Sequence, residues 1–114
     1  LQAAELYEEK ENYTSAIRSY KKYSNLYKKP FPQYMESMHK LFILNGLINM
    51  PSEVASWRKK ILNADKHTNN SSRTERSKFI TSEALLSLAR EKDILYRNLK
   101  LNPYFQTKMK TKDY

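Results

Sequence analysis

Ala3-Ala4-Glu5-Leu6-Tyr7 and, a few residues on, Asn12-Tyr13-Thr14-Ser15-Ala16-Ile17-Arg18-Ser19-Tyr20 are the segments whose reading decides the fold. In the first, Ala3, Leu6, Tyr7 and Lys10 fall on one side of a helix, and Glu5, Glu8 and Glu9 point outward or towards a groove. In the second, Tyr13, Ala16, Ile17, Tyr20, Tyr23 and Tyr27 recur at steps of three and four, the period of an amphipathic helix running to about Lys29. Asn12 between them is an N-cap candidate, because its side-chain oxygen can accept a free amide of the next turn. Pro30-Phe31-Pro32 stops the second helix, since proline lacks the N–H and clashes with the preceding turn.

The same pattern continues outward. A third helix is expected over 33–49, with Tyr34, Met38, Leu41, Phe42, Leu44 and Ile48 buried. Pro51 suits a first helical turn, and the fourth helix carries Val54, Trp57, Ile61 and Ala64. The polar run Asn63 to Ser71 reads as a loop. Ser72-Arg73-Thr74-Glu75 has the form of a capping box opening a fifth helix, whose inward set is Phe79, Ile80, Ala84, Leu85, Leu88 and Ala89. A sixth, shorter helix is expected to hold Ile94, Leu95, Leu99 and Leu101 before Pro103 ends it, and a basic tail follows over 106–114.

Offsetting the chain by 37 residues superimposes helix pairs: Ala4 on Leu41, Tyr7 on Leu44, Ile17 on Val54, and Tyr20-Lys21-Lys22 on Trp57-Arg58-Lys59. Ala16 falls on Glu53, and a one-residue shift would bring Val54 or Ala55 nearer its role. The first unit resembles a tetratricopeptide repeat, a helix–turn–helix unit of about 34 residues with small residues and aromatics at fixed places in both helices. Ala4, Tyr7, Tyr13, Ala16, Ile17 and Tyr20 stand at the matching spacings, and the family's proline falls two residues late, at Pro30. The resemblance covers about the first 30 residues well, 33–64 moderately, and 73–102 in helix length and spacing only. A slighter resemblance is to helical-repeat segments attached to bacterial cell envelopes. The expected fold is therefore all-α: a short right-handed solenoid of antiparallel helix pairs, about three helix–turn–helix units (1–30, 33–64, 73–102) in one domain over 1–105. Neither helix of a pair can bury its apolar face alone, which is why such units stack.

The resemblance implies a non-enzymatic interaction module whose first helices line a concave surface. By position that surface includes Glu5, Glu8 and Glu9 of the first unit and Met38, Phe42 and Asn45 of the second. Glu5 stands where the carboxylate-gripping members of the family want Asn, so the expected partner is instead a helix or peptide with apolar anchors and some positive charge. The alternative rests on a formal net charge of +9. Lys21, Lys22, Arg58, Lys59 and Lys60 occupy matching points of second helices, a convex basic face open to nucleic acid or another acidic surface. The tyrosines and tryptophan beside them lie on the periodic core face and are not expected to serve as stacking platforms. A third reading makes the chain a segment of a longer array, able to self-associate through an uncovered N-terminal end.

Composition excludes much else. One glycine in 114 residues leaves no glycine-rich phosphate loop and too few turn residues for an all-β fold. Without cysteine there is no thiol chemistry, disulfide or cysteine-bound metal, and His39 and His67 alone complete no metal site. No strained nucleophile turn or facing carboxylate pair is visible, so neither catalysis nor a cofactor is expected. The longest apolar run, Leu41-Phe42-Ile43-Leu44, is far short of the ~20 residues that span a bilayer.

Overall fold

The computed structural model describes residues 2–101. They form five α-helices, α1 (Gln2–Glu9), α2 (Tyr13–Leu26), α3 (Phe31–Leu47), α4 (Pro51–His67) and α5 (Glu75–Leu101), with a 3-10 turn at Asn70–Ser72. The protein is all-α. Each helix packs on the next, and α3 also packs on α5. With neighbours in α2, α4 and α5, α3 is covered round most of its circumference: Met35, Met38, Leu41 and Leu44 are fully buried, and so are Ser37, His39 and Asn45. Ala4 and Ala16 are buried where α1 meets α2, small side chains that permit close approach, and Tyr20, Trp57 and Ile61 fill the layer between.

Helix ends follow local chemistry. Asn12 caps α2, its Oδ1 accepting from the Ser15 amide at 3.4 Å. Pro51 opens α4. Pro30 and Pro32 are more than stops: α2 already ends at Leu26, and the two prolines form the entrance to α3 at Phe31, where a missing N–H costs nothing. The expected loop from Asn63 is helical as far as His67. The capping box lies two residues later than expected. Thr74 accepts the Ser77 amide at 3.0 Å while Ser77 Oγ accepts the Thr74 amide at 2.9 Å, so a serine does what the glutamate was expected to do.

The largest correction concerns the end of the chain. The fifth and sixth helices are one 27-residue helix. Residues 73–101 contain neither glycine nor proline, and the polar run Glu91-Lys92-Asp93 consists of competent helix residues, with Asp93 tied to Arg97 one turn on at 3.1 Å. Its inward stripe is Ser77, Ile80 and Ala84; Leu85 and Ala89 are exposed, and Phe79 lies outside under the Arg76 guanidinium, 5.2 Å from the ring centre. Among the described residues, α3 and α4 supply the main packing on this helix, so it buries a narrow stripe. Pro103 and the 106–114 tail lie outside the described residues.

Two turns are copies of one another. After α1, Glu11 N–H donates to Glu8 O (3.0 Å) and Asn12 N–H to Tyr7 O (2.8 Å), with Glu11 at φ 58°. After α3, Asn49 N–H donates to Gly46 O (3.2 Å) and Met50 N–H to Asn45 O (2.9 Å), with Asn49 also at φ 58°. Both are Schellman closures with a left-handed residue at C′. They stand 38 residues apart, one more than the sequence offset, which places Val54 at the position of Ala16. The buried residues of α4 keep the shorter spacing, Tyr20 to Trp57 and Ser24 to Ile61, so α4 enters its layer one residue out of step with α2.

Among the described residues Trp57 Nε1–H has no acceptor, so the ring contributes through volume and through the Lys60 ammonium 4.2 Å from its centre. Trp57→Ala is expected to lower unfolding free energy by about 3–5 kcal/mol in a denaturant melt; wild-type stability would contradict its place in the core. Glu11→Gly removes a left-handed non-glycine residue and should raise stability by about 1 kcal/mol in the same assay, whereas Asn49→Gly should gain less because asparagine tolerates this conformation.

Candidate partner-binding groove

The six residues expected to line a concave surface have different fates. Met38 is fully buried, and Asn45 is buried with its Nδ2 donating to Leu41 O at 2.8 Å. Neither can meet a partner, because α3 is enclosed by helices on the sides where they project. Glu8 is half-buried and accepts from Tyr20 Oη (2.9 Å) and Lys40 Nζ (2.9 Å), tying α1 to α2 and α3. Glu5 and Glu9 remain exposed. The three glutamates are therefore not one acidic strip, since the middle one is spent on holding the helices together. Burial, then the hydrogen bond to Glu8 and the charges of Glu8 and Glu5, push the Tyr20 phenol well above the ordinary tyrosine value, and burial raises Tyr34 as well.

Phe42 does line an open surface. At the far end of α3, a groove of about 750 Å³ opens between the α3–α4 turn and the middle of α5. Its apolar lining comes from Phe42 and Ile43 of α3, Met50 and Val54 around the turn, and Leu86 and Ile94 of α5. Ile43 is 40% exposed, Met50 44%, Leu86 50% and Ile94 59%, a concentration of wet apolar surface in one concavity. Gly46 at its floor is not a steric necessity, as an added Cβ would come no nearer than 4.0 Å to Val54 Cγ2. The carboxylates at the rim have internal partners: Glu83 meets His39 Nε2 at 2.6 Å, and Glu91 pairs with Arg58.

That last pair corrects the basic face. Arg58 is 9% exposed and turned into the α4–α5 contact, where it also donates to Ser87 Oγ at 3.4 Å. Lys60 lies over Trp57, while Lys21, Lys22 and Lys59 are exposed. The two clusters are thus not equivalent. At the 37-residue spacing that the core of α4 keeps, Arg58 falls on exposed Lys21; what differs is α5, which packs on α4 and supplies Ser87 and Glu91 to the guanidinium. The aromatic series also divides, with Tyr20 buried, Tyr23 half-buried and Tyr27 54% exposed, the last two rings 5.2 Å apart. A further tie invisible to periodicity is Arg76 on Glu36 (2.6 Å), joining α5 to α3.

Among the described residues, no three His, Cys, Asp or Glu side chains gather as a metal site, and no helix is long and apolar enough to cross a membrane. Comparison with known proteins finds no matching family, no matching curated protein and no matching solved structure.

The Tyr20 environment carries a pH dependence. Its folded-state value lies above that of the unfolded chain, about 10, so its contribution is intact below that pH. Above about pH 10 the unfolded state sheds its proton first and stability falls. Thermal melts from pH 9 to 11.5 should show this decline, shallower in Tyr20→Phe, which should also lose about 1 kcal/mol at neutral pH with the Glu8 bond.

Proposed function

We propose that this protein is a non-enzymatic interaction module, a short TPR-like right-handed array that receives a helix or peptide of a protein partner in the groove between α3, the α3–α4 turn and α5. The observation that carries the reading is the concave apolar surface around Phe42, whose apolar lining comes from three helices and a turn. The repeated Schellman turn and the lateral contact of α3 with α5 support the array. Affinity in such a groove comes from a few apolar anchors seated in it, with the rest of the contact excluding water.

The partner chemistry differs from the acid-seeking one that the sequence suggests. Glu8 is committed to Tyr20 and Lys40, and the acids nearest Phe42 are engaged from within, Glu91 by Arg58 and Glu83 by His39. Apolar complementarity therefore outweighs positive charge on the partner. The rival reading, nucleic acid on a convex basic face, keeps Lys21, Lys22 and Lys59 but loses Arg58 to Glu91.

The test is affinity capture from a lysate of the source cells, nuclease-treated and washed at moderate salt, with wild type beside two variants. A discrete protein retained by wild type should be lost with Leu86→Asp and weakened by about 1–2 kcal/mol with Phe42→Ala. Circular dichroism should show the helicity of both variants unchanged. Equal retention by Leu86→Asp would overturn the groove, and capture abolished by nuclease in wild type would favour the basic face.

A further inference from the structure

The opposite end of α3 has the reverse character. There a cleft of about 690 Å³ lies between the α2–α3 turn and the connection from α4 to α5. Lys28 and Lys29 line one side, His67 and Thr68 the other, and the hydroxyls of Ser71, Ser72 and Thr74 close it. Phe31, with Pro30 and Pro32, supplies an apolar wall. Among the described residues no carboxylate lines this cleft, in a protein that elsewhere matches most buried or half-buried cations with acids: Lys40 with Glu8, Arg58 with Glu91, Arg73 with Asp65. The nearby acids in sequence are engaged outside it, Asp65 by Arg73 at 3.0 Å and Glu75 by Lys78 at 3.6 Å. From Asn12 to Met35 the chain carries five basic residues and no acidic one.

We propose that this cleft binds a phosphate-class oxyanion. Two ammonium groups with no acidic partner among the described residues supply the charge, and neighbouring hydroxyls supply directed donors. His67 is oriented by its own helix, since its Nδ1–H donates to Asn63 O at 2.8 Å. That bond leaves Nε2 as the ring nitrogen not engaged by the helix. Lysine suits this role as a compact point charge on a flexible stem, able to follow a tetrahedral anion without the fixed fork of arginine. The apolar wall at Phe31 distinguishes two sources of the same chemistry: a free phosphate or pyrophosphate leaves it bare, while a phosphate ester can rest its organic part there.

The experiment is a calorimetric and thermal-shift titration of the intact chain with pyrophosphate and, separately, adenosine monophosphate, at constant ionic strength set by sodium chloride. Constant ionic strength matters because added salt alone screens a strongly basic protein. Saturable binding accompanied by a rise in melting temperature is expected for pyrophosphate. Affinity should fall at least tenfold in the double variant Lys28→Ala/Lys29→Ala and hold within twofold in Lys21→Ala/Lys22→Ala, which removes the same charge from α2. All four lysines are exposed, so these variants should retain wild-type helicity. Tighter binding of the nucleotide would assign the ester source, and pyrophosphate binding without the nucleotide would assign the free anion. The proposal is overturned if neither ligand saturates, if chloride alone reproduces the shift, or if both double variants lose affinity equally.

Discussion

Everything in this fold depends on covering α3. Its seventeen residues include seven that are buried, two of them methionines and three of them polar, and no single neighbour could enclose them. α2, α4 and α5 do so together. The methionines suit a helix contacted from several directions, because an unbranched thioether fills irregular space without demanding one facing geometry. The polar residues are accommodated locally: Ser37 Oγ donates to Tyr34 O at 2.7 Å, Asn45 to Leu41 O, and His39 meets Glu83 from α5. Because each is bonded, burying it adds specificity of arrangement rather than an uncompensated desolvation cost.

The polar ties that run from helix to helix complete this enclosure. Glu8 links α1 with α2 and α3, Glu36 and His39 link α3 with α5, and Arg58 links α4 with α5. Most are partly exposed, so each contributes modestly to stability; together they select which face of each helix turns inward. This selection has a consequence for function. Glu8 and Arg58, which sequence position alone would put on binding faces, are withdrawn from them, and the surfaces left over are apolar at one end of α3 and cationic at the other.

Much of the fold was legible because it follows from local chemistry. Asn12 can do little else at the start of an amphipathic run than cap it, and Pro51 opens a helix for the reason proline is barred from helix interiors. Periodicity located α2, α3 and α4 and the core roles of Tyr20, Leu41, Trp57 and Ile61, because alternation at steps of three and four is itself the geometry of packing. The register of the second unit was less legible. It was set by a turn whose left-handed residue is Glu11 in one copy and Asn49 in the other, neither a glycine, so the usual signal for that closure was missing. Arg58 aligns with Lys21 at the spacing that the core of α4 keeps, and it is the packing of α5 on α4, a tertiary fact, that takes it out of solvent. The inward stripe of α5 was misjudged for a related reason: its leucines outnumber the residues that its two neighbours can cover, and hydrophobicity alone does not say which of them stay wet. Of the residues expected to line a groove, Phe42 does border an open surface, whereas the burial of Met38 and Asn45 was not legible, since whether α3 is enclosed on two sides or three is a tertiary fact.

The unbroken course of α5 bears most directly on what the groove is for. Counting 38 residues on from Asn49 reaches Ser87, where a third closure of the same kind would turn the chain back and lay a second helix against the first. The helix instead continues, with no glycine or asparagine there to favour the left-handed residue that the turn requires. Leu86 and Ile94, either side of that point, consequently face open space across from Phe42, Met50 and Val54. On the reading proposed here, a partner helix entering the groove meets the packing surface that a following helix of the array would otherwise occupy, and the small and aromatic contacts that stack one unit on the next would hold it. Recognition then needs no dedicated chemistry beyond that of the fold. A repeat that omits its final turn leaves an unfinished layer, and the side chains already placed to receive a helix from the same chain can receive one from another.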